Sequence, residues 1–339
     1  MIWRCSKGEA VRLKIAIAGG AGFVGINLAE VASASGHDVV LVDKGDRLGR
    51  YVRSGMGSKV SLVEANLAAG DGDALAGADV IVNLAALAHV DYSMHFGEKV
   101  MANNICVQRT VLEVANRNRT PVLFTSSIEV YGGNSGPLFV EESPRAPLSP
   151  YGESKVFCED LIQLYRQKYA VKATVVRLTN LYGPWQSPDR IIPRIIAQSY
   201  SNVESYVTTG RLRDFLYVAD AVSAILGLVE AGLPEDYYNV STGCGVKLEE
   251  VVDHIATRIP GSRYRTIDES DGGRGPSLVA SAARLEKFLG WRPATGLGAG
   301  LEATLDWYGR NRDWWSQFSG VVHADRSGPE FLVDFAVPL

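Results

Sequence analysis

Tyr151 and Lys155 stand four residues apart, and Ser127 lies twenty-four residues before the tyrosine. On a helix, a spacing of four puts two side chains on one face. A phenol is a poor base near neutral pH because its pKa is about 10. A neighbouring ammonium and a cationic nicotinamide ring both stabilise the phenolate and lower that value. Tyr151 can then take the proton of a sugar or alcohol hydroxyl while hydride leaves to NAD. In that chemistry Ser127 holds the same hydroxyl and Lys155 also hydrogen-bonds the nicotinamide ribose. A Tyr-x-x-x-Lys pair alone is cheap, so the reading depends on the elements that position it.

Those elements begin with an apolar strand pattern over 13–18, a glycine turn, and a helical pattern over 26–34. Gly19 permits the tight turn, Gly22 lets backbone approach a phosphate, and Gly25 lets the helix pack on the strand. The free N–H groups around Phe23 and Val24 then face a dinucleotide pyrophosphate. Asp43 follows the strand 38–42, about twenty residues beyond the turn, where a carboxylate accepts both ribose hydroxyls. It repels a 2′-phosphate, which favours NAD over NADP. After the strand 60–63, Asn66 is placed to read the adenine edge, with Leu67 beside it. After the strand 78–84, which brings Leu84 to the cofactor, the small residues Ala85 and Ala86 allow close approach to it. His89 reads foremost as a packed or capping residue, and secondarily as a substrate contact.

A helix over 98–117, a strand over 121–125 ending in Ser126 and Ser127, a helix over 151–169 and a strand over 173–178 follow. This alternation predicts an α/β fold, a Rossmann-type doubly wound parallel sheet with right-handed crossovers. Beyond it the texture changes. Residues 180–185 read as a loop. Helices are expected over 190–200, 218–230, 248–259, 281–289 and 297–308, with one short strand over 237–240. The domain reading is therefore an NAD-binding domain at 1–178, its sheet completed from within 213–242. A smaller, non-contiguous C-terminal substrate domain takes 179–212 and 243–318, and a tail takes 319–339. Within the tail, 331–337 is apolar enough for an extra strand or a docking segment.

Composition narrows the function. The 339 residues carry a net charge of −4, which argues against a broad nucleic-acid footprint. No apolar run is long enough to span a bilayer, and the first residues lack the apolar core of a signal peptide. The four cysteines and five histidines show no ligand spacing, so no metal site is expected, and the thiols read as reduced and structural in a cytoplasmic protein.

With these motifs in place, the chain resembles the extended short-chain dehydrogenase/reductase family of nucleotide-sugar epimerases and dehydratases. The resemblance rests on the glycine turn, Asn83-Leu84-Ala85-Ala86, Ser126-Ser127-Ile128-Glu129-Val130-Tyr131-Gly132, Tyr151-Gly152-Glu153-Ser154-Lys155, Arg177-Leu178-Thr179-Asn180-Leu181-Tyr182-Gly183-Pro184, and Arg213-Asp214-Phe215-Leu216-Tyr217-Val218-Ala219-Asp220. It implies a retained NAD that takes hydride from C4 of a nucleotide-diphosphate sugar and is re-oxidised when that hydride is given back. It also implies contacts from Asn180, Arg213 and Arg274 to the diphosphate or sugar, and a homodimer paired through the helices at 98–117 and 151–169. A structural pair with Asp214 or Asp220 is the competing role for Arg213. For the dimer face, Val156, Leu161, Leu164 and Tyr165 serve equally well as core.

Glu129 discriminates among reactions. The resemblance implies Glu at that position in dehydratases and uronate decarboxylases, and small or hydroxyl residues in simple 4-epimerases. A C4 ketone acidifies the C5 proton, and a carboxylate beside C5 can remove it, after which the C6 hydroxyl leaves. Ile128 stands where thymidine-diphosphoglucose dehydratases carry an acidic Asp, which points away from that particular enzyme. The expectation is a dehydratase-type enzyme, with NDP-sugar 4-epimerase as the alternative. UDP-uronate decarboxylase, ketosugar reductase and a non-catalytic NAD-binding sensor stand behind them.

Overall fold

The computed structural model describes residues 11–45, 48–56, 60–132, 138–268 and 277–323. The apolar runs form parallel strands β1 (Lys14–Ala18), β2 (Asp38–Asp43), β3 (Val60–Glu64), β4 (Val80–Asn83), β5 (Val122–Ser127) and β6 (Ala173–Leu178). Helices α1 (Phe23–Ala34), α2 (Leu48–Ser54), α3 (Val90–His95), α4 (Gly97–Asn118) and α5 (Pro150–Tyr169) alternate with them. The later chain forms β7 (Asn180–Tyr182), α6 (Ile191–Tyr200), β8 (Ser205–Thr209), β9 (Leu212–Arg213), β10 (Phe215–Tyr217), α7 (Val218–Glu230) and β11 (Tyr237–Val240). It ends in β12 (Val246–Lys247), α8 (Leu248–Arg258), β13 (Tyr264–Asp268), α9 (Ala283–Leu289), α10 (Leu297–Arg310), α11 (Arg312–Trp315) and α12 (Ser319–His323).

Seven parallel strands make one sheet in the order β11-β6-β5-β4-β1-β2-β3. β4 and β5 are buried throughout, as strands covered on both faces must be. One face packs under α1 and α7, with Ile15, Ile17, Leu28, Val222 and Ile225 in its core. The other packs under α4 and α5, with Ala16, Val107, Val111, Phe124 and Ile162. The strand order reverses between β1 and β4, so a crevice opens beyond their carboxyl ends.

A second core, centred on Ile192, Ile196, Val251, Leu305, Tyr308 and Trp314, joins α6, α8, α10 and α11. Residues 180–182, expected as loop, instead pair as β7 with β10. The partner lies more than thirty residues away, so no local pattern announces it. The chain also does not loosen at 319: α12 continues the fold, with Val322 in that second core and its carbonyl accepting from Gln198 Nε2 at 3.1 Å. The apolar segment at 331–337 lies outside the described residues. Cys158 is buried and Cys106 half-buried, but Cys244 is exposed and no core thiol. Among the described residues, no helix is long and apolar enough to cross a membrane.

Candidate active site

The crevice is built for close backbone approach. Gly19 has φ of 74°, and a Cβ on it would stand 2.8 Å from the backbone of Ala85 in the facing loop. A Cβ on Gly25 would stand 2.5 Å from the Gly20 carbonyl, so α1 rests directly on the turn. Gly22 opens α1 with no side-chain cap and no acidic residue in the first turn, where half-buried Phe23 and Val24 lie. The helix therefore presents free N–H groups and positive dipole to an anion. Asp43 ends β2, with Oδ2 accepting from Ala21 N and Oδ1 from Lys44 N, both at 2.9 Å. It ties the glycine turn to the neighbouring strand. Asn66 is exposed, and its Oδ1 accepts from Ala68 N at 3.2 Å, which caps the turn Leu67–Ala69; the Leu67 side chain is in the core. Leu84, Ala85 and Ala86 line the other side, half-buried. An uncapped helix start, a cradle that side chains would fill and a carboxylate across from it fit a dinucleotide.

The reacting end forms where β5 meets α5. Ser149 caps α5, accepting from Gly152 N at 3.1 Å, and Pro150 takes its first position. This places Tyr151 in the first turn, where its hydroxyl shares a hydrogen bond with Ser127. Ser127 Oγ also accepts from Glu129 N at 3.2 Å, which fixes the turn Ile128–Val130. Lys155 Nζ donates to the Thr125 carbonyl at 2.8 Å and lies 5.8 Å from the Tyr151 ring centre.

The expected lowering of the Tyr151 pKa is not realised within the protein itself. Burial pushes the phenol up to about 12, against the Arg190 charge and the Ser127 hydrogen bond. The physical reason is that the ammonium is tethered to a backbone carbonyl while the phenol is 8% exposed. Burial likewise pulls Lys155 down to about 8, opposed by Cys158 and Glu159. Burial raises the half-buried Glu129 carboxyl, which the Arg213 charge lowers and Asp91 raises.

The remaining sequence candidates divide. His89 caps α3, its Nδ1 accepting from Tyr92 N at 3.2 Å, and its Nε2 faces Asp189 Oδ2 at 3.9 Å. Asn180 Nδ2 donates to the Asp214 carbonyl at 3.2 Å. The Asp214 carboxylate accepts from Thr242 N, Thr242 Oγ1 and Gly243 N, and that of Asp220 from Ala294 N and Thr295 N. Among the described residues neither acid forms an ion pair with Arg213, whose charge instead acts on Glu129. Arg274 lies outside the described residues. Of the dimer-face candidates, Tyr165 is buried in the core while Leu164 is exposed.

Several site residues escaped sequence reasoning. Arg190, at the start of α6, pairs with Asp189 at 3.2 Å, donates to the Ala88 carbonyl and acts on Tyr151. Asn104 on α4 accepts from Leu87 N at 2.8 Å and donates to Ser154 Oγ at 2.9 Å, joining the cofactor-side loop to α5. Asn104 sits on an amphipathic helix among apolar neighbours, and only that buried amide could have signalled it.

Comparison with known proteins agrees with this geometry. A dTDP-glucose 4,6-dehydratase of Mycolicibacterium smegmatis is 28% identical over 326 residues, 92% of this chain and 98% of the relative. The structure of a Bacillus anthracis dTDP-glucose 4,6-dehydratase in complex with NAD is 26% identical, with a TM-score of 0.78 over 90% of this chain and 99% of that one. A Thermus thermophilus UDP-glucose 4-epimerase, also solved with NAD, is 25% identical with a TM-score of 0.80 over 88% and 99%. The model of the NAD dependent epimerase/dehydratase family matches residues 15–241, from β1 through β11. On a match over well more than half its length, the chain belongs to the NAD dependent epimerase/dehydratase family, with NAD as its cofactor.

Proposed function

We propose that the chain is a dehydratase-type enzyme acting on a nucleotide-diphosphate hexose. The observation that carries this is Glu129, a carboxylate set two residues beyond Ser127 and within electrostatic reach of both Tyr151 and Arg213. Gly19, Gly22, Phe23, Val24 and Gly25 would hold the NAD pyrophosphate, Asp43 the adenosine ribose and Asn66 the adenine. Leu67, Leu84, Ala85 and Ala86 would complete the cofactor wall. Bound NAD supplies a hydride acceptor at C4 and a cationic ring beside the phenol. Ser127 orients the 4-hydroxyl and Tyr151 removes its proton as C4 becomes a ketone. Lys155 holds the ribose and keeps positive charge under the phenolate. Glu129 then takes the acidified C5 proton and passes it to the C6 hydroxyl, which leaves as water; return of the hydride to C6 and of a solvent proton to C5 would complete a 4-keto-6-deoxy sugar and leave the cofactor oxidised. Arg213, with Asn180 and Arg274, binds diphosphate, a guanidinium being suited to two oxygens at once. His89 borders the sugar.

The division of labour follows the two cores, with 1–178 and β11 serving NAD, and 179–212 with 243–318 serving the sugar nucleotide. The exposed Phe157 and Leu164 on α5, which packs beside α4, support a homodimer through these helices. The free thiols Cys106, Cys158 and Cys244 support a cytoplasmic location.

NDP-sugar 4-epimerase is the second reading, and Ile128 favours it. That side chain is 2% exposed in a core cluster, so the turn offers no acid beside Glu129 for the leaving hydroxyl. Incubation with a panel of nucleotide hexoses separates the two: a 4-keto-6-deoxy product supports elimination, and a 4-epimer of unchanged mass supports epimerisation.

A further inference from the structure

Glu159 lies one helical turn beyond Lys155 on α5 and is fully buried. A carboxylate with no access to water must be met by donors or destabilise the fold. Four meet it. Oε1 accepts from Ser126 Oγ at 2.6 Å and from Arg177 Nε at 2.9 Å. Oε2 accepts from Arg177 Nη2 at 2.7 Å and from Arg145 Nη1 at 3.4 Å. Ser126 immediately precedes Ser127, and it stands opposite Arg177 in the β5–β6 register. Arg177 continues the network to the Tyr131 hydroxyl at 2.9 Å, and Tyr131 donates to Asn239 Oδ1 on β11 at 2.7 Å. Tyr131 closes the turn that carries Glu129.

We propose that Glu159 is a positioning residue. By gripping Ser126 and Arg177 from one turn below Lys155, it fixes the end of β5, and with it Ser127 and Glu129, against the helix that presents Tyr151 and Lys155. The inference rests on the functional reading above. Misplacing reacting groups by about 1 Å costs on the order of 100-fold in rate, so such a brace matters to turnover as well as to folding. Glu159 has a second effect that a plain structural pair lacks. Lys155 is faced by Tyr151, Cys158 and Glu159 from its own helix, and by the Phe124 ring and Thr125 carbonyl from β5. Of these, the Glu159 carboxylate is the charge that keeps its proton on against burial, because burial pushes the Cys158 thiol up to about 12 and leaves it neutral there.

The test compares wild type with Glu159→Gln, Glu159→Asp and the charge-free double variant Glu159→Leu/Arg177→Met, which stays folded if the Gln variant does not. Substrate is whichever nucleotide hexose wild type turns over. Glu159→Gln should keep KM within about threefold while kcat falls roughly 10- to 100-fold. The alkaline limb of its kcat profile should move about one pH unit lower, because Lys155 loses its proton sooner. Glu159→Asp should restore the limb but only part of kcat. In the double variant, amide exchange across 126–129 should speed up at least about tenfold relative to β3, a readout that needs no substrate. A folded Gln or double variant with wild-type kcat and pH profile overturns the proposal, as does unchanged exchange at 126–129. Wild type without turnover on any nucleotide hexose overturns the functional reading instead, and the exchange comparison then decides the brace alone.

Discussion

Lys155 Nζ donates a 2.8 Å hydrogen bond to the Thr125 carbonyl, two residues before Ser127. The bond anchors the ammonium to the strand that ends in Ser127, rather than to the phenol four residues earlier. Its charge is thereby fixed in a buried place whatever the state of Tyr151.

Lys155 is held at about 8 in the folded chain, against an ordinary value of 10.5. Below about 8 both folded and unfolded chains carry the proton, and the folded state bears the full cost of a buried charge. Between about 8 and 10.5 the unfolded chain binds more protons, so this group makes stability rise with pH. Lys155→Met should remove that slope and stabilise the protein at neutral pH by about 3 kcal/mol, while abolishing turnover. Urea unfolding across that window measures it; a variant less stable than wild type at neutral pH contradicts it.

Glu129 has the opposite sign. Its folded pKa is raised, chiefly by burial, so stability is lost as pH rises through the unfolded and then the folded value. Glu129→Gln should melt higher than wild type at neutral pH. It should still oxidise C4, seen as NADH absorbance on mixing with substrate, yet lose elimination by about 10²- to 10⁴-fold. A variant that eliminates water at the wild-type rate removes Glu129 from the mechanism.

Arg194 on α6 is 3% exposed, and its Nε and one terminal nitrogen are buried without a hydrogen-bond partner among the described residues. An uncompensated buried charge is unfavourable, so Arg194→Met should stabilise the chain by about 1–4 kcal/mol. Thermal melting reads this directly, as a rise of several degrees; a lower melting temperature would show that the guanidinium is compensated in solution.

Asp43 is the residue proposed to accept the adenosine ribose hydroxyls and so to set cofactor choice. Asp43→Ser should weaken NAD binding roughly tenfold and reduce discrimination against NADP, measured by titration of each cofactor. Unchanged affinity for both would move the ribose contact elsewhere.

Much of the sheet, and the placing of the candidate site residues on it, was legible because it is local. The glycine turn, Asp43, Ser127 and the Tyr151–Lys155 spacing each sit at a strand end or on one helix face, where short-range pattern and position coincide. Residues such as β7, Arg190 and Glu159 were not legible, because their roles come from partners far along the chain. β7 exists through β10, Arg190 acts through Ala88 and Tyr151, and Glu159 through Ser126 and Arg177. Spacing places Lys155 on the phenol's face, but not where its ammonium points: Nζ donates to the Thr125 carbonyl. Arg213 was ambiguous until the hydrogen bonds of Asp214 and Asp220 were seen to be committed to backbone.

The central claim is that Glu129 removes a proton from C5 after Tyr151 has helped oxidise C4. It is tested most directly by turnover of a nucleotide hexose in deuterated water, followed by mass spectrometry and proton NMR of the product. The account expects loss of water with deuterium incorporated at C5, and neither in Glu129→Gln. A 4-epimer that carries no solvent deuterium would contradict it.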